Sequence, residues 1–149
     1  MNDNVMKALR ACPLFAGMRE MEIELTLDNV PHQCVSLPPH EVYALAGMPC
    51  RHVDIVVSSK LICRMAALSG KQVEVSRLRS GNLVAPAFFF SKDRCLPVSV
   101  ETEGAVELFR MKPETLKALM DTDETLRMNF IRILSNIDVF LTKKMKILS

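Results

Sequence analysis

The side chains that could do chemistry are few and scattered along the 149 residues. Five cysteines, Cys12, Cys34, Cys50, Cys63 and Cys95, include no CxxC pair and are odd in number, so neither a zinc or thioredoxin motif nor a disulfide framework is indicated. They are expected as reduced thiols. The three histidines, His32, His40 and His52, lie far apart and form no His-x-His pair of the kind a metal-holding barrel enzyme needs. No Gly-x-Ser-x-Gly nucleophile turn occurs, and no enzymatic activity is expected. There remain a run of three aromatic residues at Phe88, Phe89 and Phe90, a lone Arg94, and ten methionines. The aromatic run suits core packing or the wall of an apolar pocket. Arg94 could pair with a phosphate or simply be solvated. Thioethers fill cores and are soft metal ligands.

The elements that must position these groups belong to one soluble domain. A chain of 149 residues and 16.7 kDa buries roughly 70% of its unfolded surface in a single core. Hydrophobic residues at 49% and charged residues at 24% exclude a disordered or fibrous chain. A net charge of +2 does not by itself mark a nucleic-acid-binding surface. The longest apolar run, Leu83 to Phe90, is far short of the roughly 18 residues of a membrane span, and the N-terminus lacks the basic and apolar regions of a secretory signal. No membrane association and a cytoplasmic location are therefore expected.

Helical signals open the chain: Asn2 or Asp3 can cap a short helix carrying Val5, Met6 and Leu9, and Ile23 and Leu27 share one face of a second. From His32 to Met111 short runs of Val, Ile and Leu alternate with turn signals every eight to twelve residues, roughly the rhythm of an antiparallel sandwich or barrel. Strands are predicted near 33–37, 41–45, 53–58, 61–67, 73–79, 97–102 and 106–111. The segment 83–90 contains Pro86, which a central strand tolerates poorly, and is read as a short helix or tight loop. After Met111, Pro113 opens a short helix that ends near Asp121. The expected division is a β-barrel unit with flanking helices over 1–121 and a long C-terminal helix over 122–149.

The stretch from Asp123 to Leu148 holds no Gly or Pro, and three columns repeat every seven residues: Leu126, Ile133, Phe140, Ile147; Phe130, Ile137, Lys144; and Leu134, Leu141, Leu148. A helix of this length spans about 39 Å at 1.5 Å per residue. Its apolar face is wide enough to pack on its own barrel on one side and on a second copy on the other, as in a coiled-coil dimer. Phe130, Ile133, Leu134, Ile137, Phe140, Leu141 and Leu148 are the expected interface.

This order of elements resembles the effector domain of the CRP/FNR transcription regulators, an α+β fold with a cyclic-nucleotide-binding-like β-roll or jelly-roll barrel, short flanking helices and a long dimerisation helix. The wording agrees: Cys12-Pro13-Leu14-Phe15-Ala16-Gly17-Met18 resembles the family's opening turn, Ala46-Gly47 the glycine closing its second strand, and Gly70-Lys71 a hairpin turn. Ser80-Gly81-Asn82-Leu83 resembles its "pGd.f" segment, and 134–148 its dimerisation helix. Family members follow that helix with a winged helix-turn-helix, and this chain stops at Ser149, so DNA contact is expected only through a domain outside it.

The same resemblance narrows the effector. Cyclic-nucleotide-binding members continue "pGd.f" into Gly-Glu, where Ala85-Pro86 stands here, so cyclic nucleotide binding is disfavoured although Arg94-Cys95 falls where their Arg-Ser pair would. Only Cys12 precedes position 34, so the iron–sulfur pattern of the oxygen-sensing members is missing. The segment from Ala85 to Val100 is similar to the haem-dependent nitrosative-stress regulators that control the hybrid-cluster protein in anaerobic bacteria. That resemblance implies haem as cofactor and nitric oxide as signal, in a pocket between barrel and helix walled by Ala85, Pro86, Phe88, Phe89, Arg94, Cys95, Ile137, Leu141 and Met145. Met145 is the first candidate for the iron ligand and Met65, expected to face the same way as Leu61 and Cys63, the second. No CxxCH allows covalent attachment. Another small effector, or a ligand-free dimerisation scaffold, are the alternatives.

Overall fold

The computed structural model of the chain describes residues 1–148, and the side chains of these except 144 and 146–148. Helix α1 (Asp3–Ala11) is capped by Asn2, whose Oδ1 accepts the Val5 N–H at 2.8 Å. A 3-10 turn over Pro13–Phe15 leads to α2 (Glu20–Leu27). Seven antiparallel strands follow: β1 (Gln33–Leu37), β2 (Val42–Ala44), β3 (Val53–Ser58), β4 (Leu61–Ala66), β5 (Gln72–Leu78), β6 (Ser99–Thr102) and β7 (Val106–Met111). They form two sheets, β1-β7-β3 and β2-β6-β4-β5. The segment before β6 makes a second 3-10 turn over Pro86–Phe88, as the proline there requires. Then come α3 (Pro113–Thr122) and α4 (Glu124–Leu148). This is the jelly-roll barrel with flanking helices expected from the sequence.

Period-two alternation along β7 divides the core. Val106 and Leu108 point into the barrel with Val56, Leu61, Cys63, Val84 and Val100, while Phe109 and Met111 point outward onto the helices with Leu9, Phe15, Ile23, Leu27 and Leu116. Residues 81–84 are fastened to the free edge of β3, with Gly81 N–H donating to Val56 O at 2.8 Å and Val84 N–H to Asp54 O at 2.9 Å. Gly81 must be glycine: its φ is +91°, and a Cβ there would stand 2.8 Å from the Ala11 Cβ.

Helix α4 is anchored over its first two turns. Asp123 Oδ1 accepts the Leu126 N–H at 3.1 Å, and the buried Asn129 donates through Nδ2 to the carbonyl oxygens of Leu14 and Ala16, both at 2.9 Å. Phe130 stacks on Phe89 at 6.1 Å between ring centroids and meets the edge of Phe90 at 5.7 Å. Phe130 was expected at a dimer interface; it is instead only 5% exposed inside the protomer, because the two aromatic rings close the joint between α4 and the Pro86–Phe88 turn. Beyond Ile133 the helix runs out with apolar side chains on its surface. Among the described residues no helix is long and apolar enough to cross a membrane.

Candidate functional site

The barrel interior holds a cavity of about 260 Å³ whose apolar wall includes Val42, Ala44, Met48, Val84, Ala85 and Leu96. Against one wall lies an ion pair that includes Arg110. Asp54, in an otherwise apolar strand, is 0% exposed and faces Arg110 directly across the β3–β7 register. Arg110 binds it bidentately, Nε to Oδ1 at 2.8 Å and Nη2 to Oδ2 at 2.9 Å, and the Tyr43 hydroxyl donates to Oδ2 from β2. Three strands are thereby tied at one point. Burial, with the neighbouring Asp54 carboxylate, pushes the Tyr43 phenol far above its ordinary pKa, so it stays a neutral donor. The hydrogen bond to Asp54 raises Arg110 further. The guanidinium nitrogen Nη1 is left over from this pair.

His52 and Arg51, from the connection between β2 and β3, complete the cavity wall beside Arg110. Burial lowers the His52 pKa, with Arg110 and Arg51 adding positive potential. Cys50 also lines the cavity, and burial raises its thiol pKa, so it is a protonated thiol at neutral pH. Among the described residues no three His, Cys, Asp or Glu side chains gather as a metal site.

Of the residues expected to form an effector pocket, Ala85 lines this cavity and the others do not. Ala85 has φ +53° and ψ +53°, a left-handed conformation unusual for a residue with a Cβ. Phe89 is fully buried in the outer core against Phe130, and Phe88 packs partly against the same core. Arg94 and Cys95 are exposed: the Cys50 N–H donates to the Arg94 carbonyl oxygen at 2.8 Å and Pro49 pairs with Cys95, which leaves their side chains on the outside. Ile137 is half-buried on α4, and Leu141 and Met145 are exposed there, away from the barrel cavity.

Met65 was expected to face the same way as Leu61 and Cys63. Met65 is 42% exposed because it lies past Arg64–Ser99, the last pair with β6, where β4 is flanked only by β5; the bulge in the β4–β5 pairing falls on β5, which carries the extra residue Val75. The barrel interior does not fit a haem. Its volume lies below the roughly 300–1,000 Å³ of ordinary ligand pockets, and neither Met145 nor Met65 lines it; the methionine in its wall is Met48.

Ile133 packs partly on the protomer's own core, whereas Leu134, Phe140 and Leu141 are exposed. The side chain of Leu148 lies outside the described residues.

The sequence reading missed Tyr43, Asp54 and Arg110 altogether, and named His52 without placing it beside them. One signal was present: Asp54 interrupts the run Val53-Asp54-Ile55-Val56-Val57, where a carboxylate can be buried only if paired.

Comparison with known proteins defines the fold. No family model matches the sequence, and no curated protein matches it significantly. Solved structures do. The catabolite activator protein of Thermus thermophilus superposes with a TM-score of 0.80 at 20% identity, over 91% of this chain and 62% of that one. A transcriptional regulator from Thermotoga maritima gives 0.76 at 19% identity, covering 87% of this chain and 98% of that one. The sensor domain of the transcriptional regulator DNR from Pseudomonas aeruginosa gives 0.72 at 14% identity, over 95% and 91%. The fold shared with these structures is an antiparallel jelly-roll barrel of the cyclic-nucleotide-binding-domain type, with flanking helices and a C-terminal helix.

Proposed function

We propose that the chain is the sensory and dimerisation part of a CRP/FNR-type transcription regulator and has no enzymatic role. A small effector would enter the barrel cavity, and α4 would pair with α4 of a second copy. DNA contact would be left to a winged helix-turn-helix following that helix in the whole regulator. A cytoplasmic location goes with this role. The observation that carries the reading is the continuity between cavity and helix. Ala85 lines the cavity, and four residues later Phe89 stacks on Phe130 of α4. A ligand pressing on Ala85 therefore bears on the joint that sets the helix. For this to switch the protein, the ligand must bind the two helix positions with different affinity.

Cyclic nucleotides are poor candidates for the cavity. The 3-10 turn at Pro86 presents no carboxylate for a ribose hydroxyl, and Arg94 is exposed outside the cavity. The apolar surface of α4 beyond Ile133, with Leu134, Val139, Phe140 and Leu141 exposed, supports pairing with a second copy. Sedimentation of the chain at micromolar concentration should give twice 16.7 kDa, and Leu134→Asp/Leu141→Asp should return it to the monomer. A wild-type monomer would sink the dimer reading.

Haem-based sensing of nitric oxide is the second reading, favoured by one observation. The Met145 thioether is 70% exposed beside exposed Leu141 on α4, so a soft donor is available there, outside the barrel. Haem would supply an iron that binds the gas; the chain would supply Met145. A haemin titration read by absorption, with Met145→Ala alongside, should show a saturable band that shifts in the variant. An unchanged or unsaturable band discards this reading.

A further inference from the structure

Outside the barrel lies a second recess, of about 550 Å³, between the start of β1, the Arg51-His52 connection and the junction of β7 with α3. Its basic groups are His32, Arg51, His52, Arg110 and Lys112, and its carboxylate is Glu114, exposed at the start of α3. Arg51 and Lys112 have no ion-pair partner among the described residues, unlike Arg64, which is paired to Glu101, and Arg77, which is paired to Glu74 and Glu103. Arg110 is fixed by its bidentate grip on Asp54 and by its contact with Tyr43, and Nη1 takes no part in the Asp54 pair. Burial lowers the His52 pKa first, and Arg110 and Arg51 push its imidazole the same way while Asp54 opposes them. The recess has one rigid face, because His32 stacks on Phe109 at 4.9 Å between centroids.

We infer that this recess is a binding site for a small organic phosphate, with the phosphate dianion held by Arg51, Lys112 and the Nη1 edge of Arg110. Two unpaired cations and a pre-oriented guanidinium edge provide more donors than a single carboxylate needs, and match the three acceptor oxygens of a phosphate monoester. The volume falls within the roughly 300–1,000 Å³ of small-molecule sites, so an organic body of modest size fits beside the phosphate. The site is distinct from the barrel cavity, with which it shares Arg51, His52 and Arg110 as a common wall. It is also distinct from the exposed Arg94, which does not line the recess.

The test is a titration of the isotope-labelled chain with inorganic phosphate and then glycerol phosphate, at constant ionic strength, followed by amide shifts in two-dimensional NMR. Saturable shifts centred on Arg51, His52 and 112–115 are expected, with glycerol phosphate binding tighter than phosphate alone. Arg51→Ala/Lys112→Ala removes only exposed side chains and should weaken binding by about tenfold for each charged donor lost. Arg94→Ala should leave it unchanged. Equal binding of the two probes would assign the site to the free anion and overturn the organic-phosphate assignment. Shifts that do not saturate, survive the double substitution, or vanish in Arg94→Ala overturn the site itself.

Discussion

Replacing Arg110 by Met leaves the Asp54 carboxylate sealed in the barrel with one remaining donor, the Tyr43 hydroxyl. Replacing Asp54 by Ala leaves a different orphan, a guanidinium that is 18% exposed and opens onto two cavities where water can reach it. The two halves of one ion pair should therefore have unequal effects. Removing one partner of a buried pair costs about 3–5 kcal/mol, and the fully buried carboxylate of Arg110→Met belongs at that end. The hydrated guanidinium of Asp54→Ala belongs nearer about 1–3 kcal/mol. Against a total stability of about 5–15 kcal/mol, the first loss is a large share of the fold. With a urea slope of about 1.5–2 kcal/mol/M for a chain of this size, the midpoint should fall by about 2 M for Arg110→Met and by half that or less for Asp54→Ala. The double variant Asp54→Leu/Arg110→Met restores an apolar contact and should be more stable than Arg110→Met alone. Urea unfolding followed by circular dichroism, at one protein concentration because association adds to stability, measures all three. Equal losses in the single variants, or a double variant that equals their sum, would refute the account of the pair as a coupled, asymmetrically buried unit.

Gly81→Ala should lose about 2–4 kcal/mol, since the new Cβ combines a left-handed φ with a 2.8 Å approach to Ala11; Gly17→Ala, at φ +80° in open space, should lose only about 1 kcal/mol in the same thermal melts. Asn129→Leu strands the carbonyls of Leu14 and Ala16 and should lower stability by about 2–4 kcal/mol in scanning calorimetry, without changing the helix content by circular dichroism. Burial pushes the Cys12 thiol up to about 12, so its contribution to stability is complete below the ordinary thiol pKa and is lost as pH rises through that value towards about 12. Unfolding free energies measured at pH 8 and pH 10.5 should therefore diverge more for the wild type than for Cys12→Ala, by up to about 1.4 kcal/mol per pH unit. A parallel decline in both would remove Cys12 as the cause.

The regular elements were legible because their signals are local. Strands β1, β3 and β7 have the bounds expected from turn spacing and alternation, and the proline at 86 correctly barred a central strand between β5 and β6. Helix α4 was visible in its heptad columns, but those columns do not say where the protomer ends and a partner begins. Phe130 and Ile137 share a column, yet one is locked against Phe89 and the other is half-buried farther along. Met65 is exposed because β4 outruns its partner β6 after Arg64, and where a partner strand ends leaves no mark on the strand itself. The ion pair at the cavity wall was invisible for the same reason. Tyr43, Asp54 and Arg110 lie on three strands, and only the Asp54–Arg110 register makes them neighbours. Arg94 is exposed in the loop before β6, the solvated alternative the sequence left open; position in a motif does not say which way a loop side chain points.

The aromatic joint between Phe89 and Phe130 also sets a scale of motion. Eighteen residues separate Phe130 from Leu148, about 27 Å of helix at 1.5 Å per residue. The anchored turns act as a fulcrum and the rest of α4 as an arm, so a tilt of about 5° at the ring stack sweeps the far end through about 2.4 Å at that arm length. A displacement too small to break one ring contact at the barrel becomes, at the other end, about half the pitch of a helical turn.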